Sequence, residues 1–141
     1  MEERFLSPEE QREESNYLHR PHFMWSFFLI MKFTKSLSNN SDFQLVYKNG
    51  KSRANRYLVM YVLENSMNNN RLGISVSKKV GNSVVRHYLK RCIKESYRLH
   101  EDMFNSGLDI VVIARRGAGD IKYHEIESAF LHLMRLNKVC V

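Results

Sequence analysis

Seven cations crowd into residues 78–98, KKVGNSVVRHYLKRCIKESYR: Lys78, Lys79, Arg86, Lys90, Arg91, Lys94 and Arg98, with Glu95 as the one acid among them. That density of charge is chemistry for a polyanion, with Arg suited to forked contacts on phosphate and Lys acting as a point charge. The segment reads as a Gly-containing turn (Lys78 to Ser83) that leads from a strand into a helix. The N–H groups at such a helix start attract phosphate. No Gly-Lys-Ser/Thr follows, so the turn is not a nucleotide-binding P-loop.

At about 100° per residue, Val85, Leu89, Cys92 and Ile93 fall within roughly one third of the helix circumference and form a packing face. Arg86, His87, Lys90, Arg91, Lys94 and Arg98 cover the opposite side. A plain solvated face would mix signs. Here Arg86–Lys90, Lys90–Lys94 and Lys94–Arg98 are like-charge i,i+4 pairs, each repelling by roughly a few tenths of a kcal/mol. Phosphates arriving from a partner would relieve that repulsion, which favours contact with RNA or DNA over an idle surface.

Four aromatics form a second constellation. Phe43 and Tyr47 are i,i+4 on a short helix, and Tyr57 and Tyr61 occupy same-side positions of an alternating strand. Aromatics are more often core than base platforms, and Phe43 alone reads as core. The other side of that strand already offers Leu58, Met60 and Val62 for packing. An aromatic outer face beside a basic helix suits single-stranded nucleic acid, whose bases stack without regard to sequence.

Catalytic signatures are missing. The chain has no GxSxG, no HExxH and no paired carboxylates within a motif. The nine acids of residues 31–141 are scattered, whereas a self-sufficient metal nuclease wants clustered carboxylates. His124 and His132 have no metal-site spacing, and Cys92 and Cys140 form no CxxC. Two lone thiols without a signal peptide predict a reduced, cytoplasmic protein.

The elements that must position these groups follow from the pattern. Residues 38–50 predict a helix with Phe43, Val46 and Tyr47 on one face and Gly50 as its stop. Residues 57–64 alternate as a strand, residues 71–77 form a second strand, and the two together suggest a hairpin. Residues 51–55 add a short edge strand. The basic helix spans residues 83–100, the run DIVVIAR at 109–115 is a buried strand, and Tyr123–Leu136 is a last helix. The expected fold is therefore an α/β (α+β) two-layer sandwich, with three helices on one mixed sheet of three to four strands.

Charge divides the 141 residues unevenly. Residues 1–30 hold six acids against three Lys/Arg, while residues 31–141 carry a net +10. The apolar patch at 23–30 (FMWSFFLI) is far shorter than the roughly twenty residues a membrane span needs. Its acidic lead-in is unlike a signal peptide. We expect residues 1–30 to be a disordered extension or the product of a misassigned start, with Met31 as the true initiator and 31–141 as one RNA-binding domain. An interfacial anchor is the competing reading, and an intact mass that includes residues 2–30 would decide for a genuine extension.

Residues 71–98, RLGISVSKKVGNSVVRHYLKRCIKESYR, closely resemble the signature of the protein subunit of bacterial ribonuclease P: a strand R-x-G-x-x-V-S-K-K, a glycine turn, then a helix with an RNR-x-K-R core. SDFQLVYKNGK and N-x-Y-L-V-M-Y upstream, and DIVVIAR downstream, are also similar to that family, so the likeness spans about 31–136. His87 and Tyr88 stand where the family has Asn and Arg.

The resemblance implies a small partner of a catalytic RNA that removes the 5′ leader from precursor tRNA, the RNA and its Mg2+ ions carrying the hydrolysis. It implies ribozyme contact through Arg86, Lys90, Arg91 and Lys94. It implies a leader cleft, between the first helix and the sheet, at Phe43, Tyr47 and Tyr61. It also implies a left-handed βαβ crossover, no membrane and no obligate protein partner. A ribosome-associated or general RNA-binding protein, a peripheral membrane protein and an autonomous nuclease are the competing classes.

Overall fold

The computed structural model describes residues 34–140. The expected boundary near Met31 and the apolar patch at 23–30 lie outside them. Ten elements follow in order: β1 (Thr34–Ser36), α1 (Asn40–Asn49), β2 (Lys51–Ala54), β3 (Leu58–Glu64), β4 (Asn70–Ser75), α2 (Ser83–Leu99), a 3-10 turn at Glu101–Met103, β5 (Leu108–Ala114), a second at Arg116–Ala118, and α3 (Tyr123–Leu136). The strands make one mixed sheet in the order β1-β4-β5-β3-β2.

The most apolar strand takes the centre. β5, LDIVVIA, is buried along nearly its whole length, parallel to β4 and antiparallel to β3. A strand apolar on both faces must be covered on both, and a mid-sheet position supplies that. The expected β3–β4 hairpin is therefore absent: β5 lies between the two strands. The parallel β4 and β5 are joined through α2, which makes a βαβ unit. The polar edge strand β2 is as expected. The fifth strand, β1, is a three-residue TKS parallel to β4, with no alternation to reveal it in the sequence.

Alternation along the strands sorts side chains onto two faces. Leu58, Met60, Leu72, Ile110, Val112 and Ala114 join Leu89, Cys92 and Ile93 of α2 and Ile126, Phe130 and Leu133 of α3 in the main core. A smaller cluster on the other face centres on Leu37, Val46 and Val111 beneath α1. The sheet is thus thickly covered on one side and bridged on the other by a single ten-residue helix.

Candidate nucleic-acid interface

α2 starts where the Asn82 side chain accepts a hydrogen bond from the Val85 N–H at 3.0 Å. Its buried arc is wider than the predicted stripe, because α2 packs on both the sheet and α3. Val84, Tyr88 and Tyr97 are buried with Leu89, Cys92 and Ile93, while Val85 is only half-buried. Tyr88 belongs to the core at 5% exposure. The residue standing where the family has a cation therefore faces inward.

The exposed arc carries His87, Lys90 and Lys94, with Arg86 and Arg91 half-buried at its margins. Arg86 Nε is buried, and no described residue accepts its hydrogen. Lys78 and Lys79 are exposed in the turn that precedes the helix. Arg86, His87, Lys90, Arg91 and Lys94 share one side of α2, as the helical spacing predicts, and Lys78 and Lys79 lie in the turn that leads into it.

Arg98 departs from that set. Its Nη2 and Nε donate to the buried Glu95 carboxylate at 2.7 and 3.0 Å, and these bonds hold the guanidinium pKa above its usual value. Its charge is matched inside the protein, which also explains how Glu95 tolerates 1% exposure in the core. The Lys94–Arg98 repulsion is relieved in the same way.

The second constellation lies on the opposite face of the sheet. Phe43 and Tyr47 of α1 have ring centroids 6.2 Å apart, and Tyr47 meets Tyr61 of β3 edge-on at 5.1 Å. All three are half-buried against Val46, Val111 and Ile113. Burial raises the Tyr47 pKa, and nearby Tyr61 adds to the rise while a hydrogen bond with Ser75 opposes it. Strand register places Ser75, Ile113, Val59 and Ala54 in one rung next to the rung of Tyr61 and Val111. Half-exposed rings beside a small polar residue make a platform on which bases could stack.

Tyr57 is not part of this platform. The Asn55 side chain accepts from the N–H groups of Tyr57 and Leu58 at 3.1 and 2.9 Å. That turn delays the strand to Leu58 and takes Tyr57 out of its alternation. The Tyr57 ring packs against the main core instead, with Arg56 5.5 Å above it. Its same-side spacing with Tyr61 holds only for a strand that continues through residue 57.

An ionic cluster that no local spacing announces lies beside the platform. Arg71 donates through Nε and Nη2 to Asp109 at 2.8 and 2.6 Å, and through Nη1 to Asp42 of α1 at 3.2 Å. Asn65 donates to the same Asp109 carboxylate at 2.8 Å. Burial pushes the Asp109 pKa up, but the bonds from Arg71 and Asn65 outweigh it and leave the carboxyl below its usual value. The available signal was Asp109 at the head of an otherwise apolar strand, since a buried acid needs a partner. Among the described residues no three His, Cys, Asp or Glu gather as metal ligands, and no helix is long and apolar enough to cross a membrane.

Comparison with known proteins agrees with this architecture. The family model described as Ribonuclease P matches residues 31–137. The ribonuclease P protein component of Lachnoclostridium phytofermentans is 60% identical over 106 residues, spanning 75% of this chain and 91% of that protein. The RNase P protein of Staphylococcus aureus superposes with a TM-score of 0.70 at 42% identity, covering 74% of this chain and 95% of that one. The Thermotoga maritima RNase P protein gives 0.66 at 34%, covering 72% and 96%. With a matching motif, a matching sheet and matches over nearly the full length of these proteins, the chain belongs to the bacterial ribonuclease P protein family.

Proposed function

We propose that this chain divides its work between two faces: the cations of α2 and its leading turn bind the catalytic RNA, and the aromatic platform beneath α1 holds the single-stranded leader of precursor tRNA. As a ribonuclease P protein component, it is a subunit of the tRNA 5′-maturation endoribonuclease and a partner of its RNA subunit. The observation that carries the finer reading is the separation of the two surfaces. Lys90 and Lys94 are exposed on one side of the sheet, and Phe43, Tyr47 and Tyr61 meet on the other.

Binding both RNAs at once would bring the precursor to the ribozyme as an effectively intramolecular substrate. Mg2+ in this reading is held mainly by the RNA, and the protein contributes charge and position. The free thiols Cys92 and Cys140 fit a reducing cytoplasm.

The test is reconstitution of the full chain with a ribonuclease P RNA at low magnesium. We expect faster cleavage of precursor tRNA with protein present, and tighter binding of precursor than of mature tRNA. No gain in cleavage rejects the reading. Equal affinity for unrelated RNAs points to a general RNA binder, and cleavage by protein alone points to an autonomous nuclease.

A further inference from the structure

We propose that Arg71 and Gly73 are positioning residues: with Ser75 they form a rail on β4 that sets the register of α1 and thereby the shape of the aromatic cleft. The inference rests on the leader-binding reading above and deepens it. Arg71, Gly73 and Ser75 lie two residues apart on one strand, so they share a face at a spacing of about 6.6 Å. Each meets a different residue of α1. Arg71 Nη1 bonds Asp42 at 3.2 Å, Gly73 lies under Phe43, and Ser75 stands beside Tyr47.

The middle contact sets where the Phe43 ring lies over the sheet. A Cβ at Gly73 would fall 2.6 Å from Phe43 Cζ and 2.9 Å from Cε1, so a larger residue there would push the ring out of its place. The glycine lets the ring lie directly on β4, and its backbone conformation is ordinary.

The first contact sets position along the strand. Arg71 does not swing freely, because its other nitrogens are forked onto Asp109, and Asn65 donates to that same carboxylate. Asp42 is thus tied to a fixed guanidinium, immediately before Phe43 in the chain. The far end of α1 sits close on β3, since a Cβ at the Gly50 cap would lie only 3.0 Å from the Val62 carbonyl oxygen. With both ends held, Phe43 and Tyr47 meet Tyr61 in one arrangement, and a leader base finds the platform already formed.

The experiment uses holoenzyme reconstituted with the full chain and compares Gly73→Ala and Asp42→Asn with wild type. Three quantities are read: the ratio of precursor to mature tRNA affinity, the affinity for the ribonuclease P RNA, and the thermal midpoint of the protein. Asp42 lies on a partly exposed helix turn, so its variant is expected to fold even if Gly73→Ala does not.

We expect the precursor-to-mature ratio to fall at least about fivefold, the lower end of losing one stacked base, with ribozyme affinity unchanged. Gly73→Ala should cost nothing further in a Phe43→Ala background, because the ring it displaces is gone. If wild type discriminates and Asp42→Asn discriminates equally well, the positioning role is overturned while leader binding stands. Parallel loss of ribozyme affinity, or additive losses in the Phe43→Ala background, also overturns it. If wild type itself does not discriminate, the leader reading fails first and this inference falls with it.

Discussion

Each Lys or Arg of α2 has a different share in binding according to what its charge already touches. Lys90 is exposed on the face away from the core and Arg86 lies half-buried at its margin, whereas Arg98 is forked onto buried Glu95. Salt dependence separates the two kinds. Arg86→Ala with Lys90→Ala should lower the slope of log affinity against log salt by roughly 1.4–1.8, or about 0.7–0.9 per phosphate. Arg98→Ala should leave the slope unchanged and instead destabilise the fold by about 3 kcal/mol, because it strands a buried carboxylate. Filter binding across a salt series, beside urea unfolding of the same variants, checks both; a slope loss for Arg98→Ala would return that residue to the RNA surface. On the other face, Tyr61→Ala should cost about 1–3 kcal/mol in precursor binding, with mature tRNA unaffected. Equal losses for both RNAs would remove Tyr61 from a leader contact.

At the scale of the element, α2 is held in phase by its first turn. The Asn82 side chain caps Val85 N–H, so Asn82→Ala should destabilise the protein by about 1 kcal/mol. In urea that appears as a lower midpoint with an unchanged m-value; a changed m-value would mean that more than the cap was lost. The cap and the cationic arc were legible in the sequence because local spacing alone determines them. Other features depend on residues distant in the chain. Glu95 stands three residues before Arg98, but only its burial, which the folded structure sets, turns Arg98 to it and away from solvent. Tyr57 leaves the alternation because Asn55, two residues upstream, delays the strand start to Leu58. The β3–β4 hairpin failed for a similar reason. Adjacency in sequence favours it, but β5 is apolar on both faces and needs the position between them. β1 is too short and too polar for any period to register.

For the molecule as a whole, the two binding faces share one sheet, and Asp109 ties the α1 side to it. Its carboxylate joins β5 to β4 through Arg71, to the β3–β4 loop through Asn65, and to α1 through the Arg71–Asp42 pair. Its folded-state pKa is depressed, the bonds from Arg71 and Asn65 overcoming the upward push of burial. A depressed carboxyl contributes stability that is fully present above the unfolded-state pKa of about 4. As pH falls below that value the unfolded chain takes up the proton first, and the contribution is lost through the lower folded-state pKa. Unfolding free energy measured in urea should therefore be flat in this contribution near neutrality and decline below about pH 4. Asp109→Asn should be less stable at pH 7 and lose less on acidification, so the two curves converge toward low pH. Parallel curves would show that Asp109 titrates alike in both states and that its bonds to Arg71 do not favour the charged form. Convergence accompanied by a falling precursor-to-mature affinity ratio in Asp109→Asn at pH 7 would link the same carboxylate to the seat of α1, because the guanidinium that holds Asp42 loses its own support.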